Sequence, residues 1–183
     1  MHFKKRSIII LSILLLLIVA VLGFVYSRSV LRAEIAIGNL LRRIERGNIN
    51  DINLTIYHGT MFVSTPIPWS VDTLIRAYYD SRIIVDGVHM EEHIDLINRL
   101  GDINLTPLER RTDINARVYY VFENRNGRRI LDVAMFGRGG SGERGSLSVF
   151  VNGVELEWND IFIEIILPFL PEYEASVWKR GLE

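Results

Sequence analysis

Nineteen consecutive residues, Ile8 to Tyr26 (IIILSILLLLIVAVLGFVY), carry no charged side chain, and only Ser12, Gly23 and Tyr26 depart from plain hydrocarbon. At a rise of 1.5 Å per residue a helix of this length is about 28 Å long, close to the hydrocarbon thickness of a bilayer. Within lipid a single segment can satisfy its backbone hydrogen bonds only as a helix. The stretch therefore predicts a transmembrane helix, and with it a single-pass protein whose remaining residues lie beside a membrane.

Lys4, Lys5 and Arg6 precede the apolar run. This basic start fits a signal peptide as well as an anchor, but the run exceeds a normal signal-peptide core, and bulky Leu22, Phe24 and Tyr26 spoil a small-x-small cleavage site. An uncleaved signal-anchor is the expectation. The basic cluster directs the N-terminus to the cytoplasmic side, against a competing group formed by Arg28, Arg32, Arg42, Arg43 and Arg46. The expected organisation is a cytoplasmic tail and anchor over residues 1–26, a juxtamembrane stalk helix over 27–46, and an extracytoplasmic domain over 47–183, in the cell membrane.

All 22 acidic residues follow Tyr26, whereas 3 of the 21 basic ones precede it, so residues 27–183 hold 18 basic and 22 acidic side chains, a formal charge of −4. A mildly acidic domain without a basic, aromatic-studded face argues against nucleic acid as a partner. There is no cysteine, which excludes disulfides, thiol catalysis and cysteine-based metal sites.

From Ser27 to Arg46 the spacing stays helical, with Val30, Ile37 and Ile44 seven residues apart, and Gly47 supplies a stop. Two heptads are too few for a coiled coil, so the expectation is a stalk that packs on its own domain. Residues 51–58 alternate as a strand, 59–68 read as an irregular connection with an extended piece at Met61–Val63, and Ser70 can cap a helix carrying Val71, Leu74, Ile75 and Tyr78. A short strand over 82–85 and a helix over 90–100 follow.

Asn126-Gly127 and Asn152-Gly153 each sit between alternating runs and signal two-residue hairpins, because a type I′ turn needs positive φ twice. The first turn sets Phe122 opposite Leu131, Tyr120 opposite Val133 and Val118 opposite Met135 on the buried face, leaving Val121 and Asp132 as a more solvated pair. The second sets Val151 opposite Val154, Val149 opposite Leu156 and Leu147 opposite Trp158. An apolar helix capped at Asn159 or Asp160 and broken by Pro168, then a second short one after Pro171, complete the pattern. The fold class is α+β, an antiparallel sheet with two Asn-Gly hairpins packed by helices on one face.

Three motifs invite chemistry. His89-Met90-Glu91-Glu92-His93 spells H-x-x-E-H, in which histidines at i and i+4 share a helix face, can hold zinc, and leave the glutamate to activate water. In these five residues only, the chain resembles the inverted zinc peptidases, which implies a zinc hydrolase with a third ligand such as Glu172 or Glu174. The apolar neighbours Met90, Ile94, Leu96, Ile97 and Leu100 instead place both histidines within the arc that packs on the domain. Gly137 to Gly142 matches G-x-G-x-x-G, yet it leads into a strand, whereas a dinucleotide site needs it to open a helix. Asp51 to Thr55 (DINLT) recurs as Asp102 to Thr106 with unrelated flanks, a coincidence and not a duplicated unit. Trp69, Trp158 and Trp178 could form a ligand shelf, although core or edge packing is the plainer reading.

No catalytic, cofactor-binding or metal residue is therefore assigned. The reading is a membrane-anchored interaction module, held in lipid by Ile8 to Tyr26, with a protein or envelope partner and no cofactor. A zinc hydrolase using His89, Glu92 and His93, or an accessory subunit of a membrane complex, are the alternatives.

Overall fold

Residues 116–124 (ARVYYVFEN) mix apolar side chains on both alternations, the pattern of a strand covered on two faces. The computed structural model of the chain describes residues 15, 30–59, 68–108, 115–136 and 148–182. Six strands among them form one antiparallel sheet: β1 (Ile52–His58), β2 (Ile83–Val85), β3 (Ala116–Asn124), β4 (Arg129–Phe136), β5 (Ser148–Val151) and β6 (Val154–Glu157), in the order β2-β1-β3-β4-β5-β6. The sheet is thus wider than the four strands of the two hairpins, because β1 joins the free side of β3, with Leu54 opposite Phe122 and Ile56 opposite Tyr120.

The main core lies on one face. Ile52, Leu54, Ile56, Val118, Tyr120, Phe122, Leu131, Val133, Met135, Val149, Val151 and Leu156 supply it from the sheet. Helix α1, described over residues 30–45, lays Ala33, Ala36, Ile37, Leu40 and Ile44 onto it. Burial of Ile37, Leu40 and Ile44 contributes about 1.5–3 kcal/mol each. The segment expected as a stalk is thus an integral layer of the core, and it ends at Gly47 in positive φ. The short helices α3 (Gly87–Glu91), α4 (Ile94–Asn98) and α5 (Ile161–Glu164) and the longer α6 (Glu172–Leu182) complete the layer. Tyr120 is fully buried, and its hydroxyl donates to the Phe162 carbonyl at 2.8 Å, tying the central strand to α5. Trp178 is buried in this core with Trp158 stacked on it at 6.4 Å.

Contrary to the one-faced arrangement expected, the second face is covered in part as well. Helix α2 (Val71–Ala77) packs Leu74 on Ala116, Tyr119, Val121 and Ala134, with Trp69, Ile75 and Tyr78 around them. It starts where expected, Ser70 Oγ accepting from the Thr73 amide at 3.2 Å. The Trp69 carbonyl accepts from the Ala116 amide at 2.8 Å and fixes α2 to the start of β3.

Both hairpins pair as the sequence indicates: Phe122 with Leu131, Tyr120 with Val133, Val118 with Met135, Val149 with Leu156 and Val151 with Val154. Leu147 lies outside the described residues. The turns differ from one another. Asn152 and Gly153 have φ of 49° and 76°, the expected type I′ signature. In the first turn only Gly127 has positive φ, and its amide bonds the Asn124 carbonyl at 2.8 Å. This is a type I turn followed by a glycine bulge. Asn124 favours it, its Oδ1 accepting from the Asn126 and Arg128 amides. The extra residue would slip the register by one, and a second bulge between Phe122 and Glu123 restores it. Ile130 is the residue bulged out of the ladder, and it packs on the main core beside Leu131. An unbulged strand would have turned Arg129 toward that core and Ile130 away from it.

The helix expected over residues 90–100 is interrupted. Asp86 caps α3 by accepting from the His89 amide at 3.0 Å, one turn earlier than expected. The chain then breaks at Glu92 and His93 before α4 begins. The two DINLT runs fold differently, the first entering β1 and the second forming irregular chain after a short 3-10 turn. Ile8 to Tyr26, apart from Leu15, the extended piece at Met61–Val63 and the glycine loop from Gly137 lie outside the described residues. Among the described residues no helix is long and apolar enough to cross a membrane.

The closest backbone approach to a glycine among the described residues gives a direct test. A Cβ on Gly87 would stand 2.2 Å from the Ile49 carbonyl oxygen and 2.5 Å from Asn50 Cα. Gly87→Ala should destabilise the fold by about 1–3 kcal/mol through overpacking, and Phe122→Ala by about 3–5 kcal/mol. Denaturant unfolding followed by tryptophan fluorescence measures both. A neutral Gly87→Ala would mean that α3 does not dock against residues 49–50.

Candidate functional site

The bulge at Ile130 has a chemical consequence on the second face. In a regular strand, residues three apart point to opposite faces. The extra residue brings Arg129 and Asp132 to the same face, where Arg129 Nη1 donates to Asp132 Oδ2 at 2.9 Å. Asp132 stands opposite Val121, and its backbone amide donates to Asn152 Oδ1 at 2.8 Å. The pair expected to be solvated is therefore buried, with Val121 at 5% and Asp132 at 9% exposure. The reason is the β5–β6 turn, which folds its Asn152 onto the Asp132 backbone, together with the arginine that covers the carboxylate.

Next to this ion pair runs the cross-strand row Tyr119, Ala134 and Phe150. Ala134 is small between two aromatics, so the row sags in the middle. Helix α2 packs mainly against β3 and β1 and reaches β4 only at Ala134, and its first turn forms the opposite wall. The result is a pocket of about 380 Å³ with Val71, Ile75, Ala134 and Phe150 on its apolar surface and Asp72, Tyr119, Arg129 and Asp132 at its polar side. A small concavity with an apolar floor and a few convergent polar groups has the character of a ligand site.

The polar groups suit recognition. Burial pushes the Tyr119 hydroxyl up to about 12, with the Asp132 carboxylate acting in the same direction, so it stays protonated at neutral pH and serves as a donor. Asp132 is engaged by Arg129, and the Ser70 hydroxyl is engaged with Thr73 in the α2 cap. The pocket can thus present a phenol donor, a guanidinium and an apolar surface to a bound group.

The residues singled out in the sequence are dispersed. His89 projects from α3 and pairs with Asp86 at 2.8 Å, both side chains largely exposed. His93 occupies the break before α4, and its ring meets Phe169 edge-on at 5.1 Å. One continuous helix would be needed to present both histidines at i and i+4, and that helix is absent here. No group of three or more metal-ligating side chains occurs among the described residues. Trp69 packs with Tyr78 at 5.8 Å, with the Arg117 guanidinium 5.9 Å from its ring, remote in packing from the Trp158–Trp178 stack in the main core. The three tryptophans form no common shelf.

No protein family, no curated protein and no solved structure matches the chain. The pocket's residues were not evident from the sequence as a set, although one signal was present. The adjacent Ile130 and Leu131 after Arg129 break a two-residue alternation, and a bulge that sends both apolar side chains to one face resolves it.

His58, at the end of β1, is a second titratable feature. Burial pulls its pKa below the ordinary histidine value, and the Glu174 carboxylate on α6 opposes that shift. Its ring stacks on Tyr78 at 6.4 Å.

Two tests follow from these placements. Asp132→Ala should cost about 1–2 kcal/mol, between an exposed ion pair and a buried charged hydrogen bond, and more than the roughly 0.5 kcal/mol of a surface substitution; urea unfolding distinguishes these values. For His58 the depressed folded pKa means that the unfolded chain binds the proton more readily. Its destabilising contribution is absent well above pH 6.5 and grows as pH falls below that value toward the folded pKa. Unfolding free energies between pH 7.5 and 5 should therefore fall more steeply for the native chain than for His58→Gln. Parallel curves would refute this.

Proposed function

We propose that the chain is a single-pass, membrane-anchored binding module displayed outside the cytoplasm. Ile8 to Tyr26 supports the anchor by its length and complete lack of charge, and Lys4, Lys5 and Arg6 support the orientation. Helix α1 is already formed at residue 30 and is buried in the domain core, so very little chain separates the apolar stretch from the folded part. The observation that carries the binding reading is the pocket between α2 and β4–β5. There the Arg129–Asp132 pair and the Tyr119 donor border an apolar floor. Such a site accepts a ligand, or the tip of a partner protein, that joins a hydrophobic part to a polar group.

Protease applied to intact cells or spheroplasts tests the arrangement. Residues 27–183 should be digested without lysis, and an added detergent should not be required. Complete protection until lysis would reverse the orientation, and recovery of the chain in the soluble fraction would remove the anchor. Crosslinking in native membranes then identifies the partner. A stable stoichiometric complex with other membrane proteins would favour an accessory subunit over a free-standing receptor.

A further inference from the structure

A second concavity lies at the end of α1. The last turns of that helix carry Arg42 and Arg43, Arg46 follows directly after it, and the β3–β4 turn and the start of β4 bring Arg128 and Arg129 to the same place. With Asn39, Asn48 and Ile130 these five arginines line a cleft of about 500 Å³. We propose that this cleft binds a small multivalent oxyanion bearing two or more phosphate groups. The inference gives the binding module a ligand class, but it stands on the cleft itself and does not depend on the anchor.

The charges are unevenly compensated. Arg42 donates to the Gly38 carbonyl at 3.1 Å and to Asn39 Oδ1 at 2.7 Å, and Arg129 donates to Asp132. The Asp51 carboxylate, three residues along the chain from the lining Asn48, is taken by Arg125 at 3.0 Å. Among the described residues, the ion pairs include neither Arg42 nor Arg43, Arg46 or Arg128. The partial negative charge at a helix C-terminus accounts for basic residues on α1 alone. It gives no reason for a separate turn to bring two more guanidinium groups against them, where like charges repel. An anion between the two elements turns that repulsion into attraction.

The lining narrows the class of ligand. Ile130 is its one apolar side chain, so the cleft lacks the buried hydrophobic anchor points that dominate protein–protein recognition and the greasy walls of a typical drug-like site. Guanidinium forks match phosphate oxygens two at a time, and a tetrahedral phosphate can accept from several arginines at once. The cleft is of small-molecule size. It lies at the C-terminal end of α1, about 22 Å along the helix from residue 30. A soluble phosphorylated compound and the headgroup of an anionic lipid share this chemistry.

Isothermal titration of inorganic pyrophosphate into the full chain, held in phosphatidylcholine nanodiscs, tests the proposal. Saturable one-to-one binding is expected, weakening by about tenfold or more in Arg46→Gln/Arg128→Gln. These side chains are exposed and belong to two elements, and an unchanged melting temperature confirms the fold. Arg46→Lys, which keeps the charge and loses the fork, should fall between. Repeating the titration in phosphatidylcholine nanodiscs that contain cardiolipin, whose headgroup carries two phosphates, separates the sources. A lower pyrophosphate affinity there, absent in the double variant, identifies a lipid headgroup as the occupant, whereas an equal affinity identifies a soluble phosphate. Lack of saturable binding, or equal binding by the double variant, would overturn the proposal while leaving the protease result intact. Tighter binding of a polyglutamate peptide than of pyrophosphate would also overturn it, in favour of an acidic protein segment.

Discussion

The rest of the fold depends on β3 being closed off from water on both faces. Seven consecutive residues from Ala116 to Phe122 are buried, so each side of this strand needs its own cover. On one side the need is met by the helical layer and fastened at its middle by the Tyr120 hydroxyl on the Phe162 carbonyl. On the other side the short helix α2 suffices, because the apolar cluster there is small. Covering β3 fully while covering its neighbours incompletely leaves the border of α2 as a hollow. The pocket is thus a by-product of two layers of unequal width meeting one sheet.

A conflict between charge and burial at the start of β4 shapes both concavities. Arg129, Ile130 and Leu131 cannot all obey simple alternation without sending a guanidinium into the core or an isoleucine away from it. The glycine bulge at the turn and the bulge at Ile130 together resolve this, keeping the expected pairing from Phe122–Leu131 to Val118–Met135. Arg129 is left at the end of the sheet, where it lines both the apolar pocket and the arginine cleft. A local irregularity of backbone therefore decides where positive charge is available to a ligand.

How much of this could be read from residues alone depends on the range of the interactions involved. The strand partners in both hairpins were legible, because hydrophobic alternation and Asn-Gly turns act locally and agreed with each other. The type of the first turn was not, since Asn124, two residues upstream, captures the amides with its side chain and tips the balance to a different loop. The α2 cap at Ser70 was legible, whereas the face on which α2 packs was not, because that choice is made by Trp69 meeting the start of a strand far along the chain. The burial of Asp132 was missed for the same reason, its cover coming from Arg129 through a bulge and from Asn152 through another hairpin. Local motifs overreached in the opposite sense at His89 and His93, where a helical spacing in the sequence spans a break in the helix.

The outer edges of the sheet have a bearing on how these molecules behave when crowded. Along β6 the ladder does not end in bare backbone. Pro107 bridges Leu156, the Leu108 amide bonds the Glu155 carbonyl, and the Glu157 amide bonds the Thr106 carbonyl. At the opposite side β2 offers three residues, about 10 Å of strand. A stray β-segment from another molecule would find one margin already occupied and the other too short for more than a few hydrogen bonds. Such a sheet resists serving as a template for fibrillar growth, and it can be packed densely at a surface without knitting neighbouring copies into a common ladder.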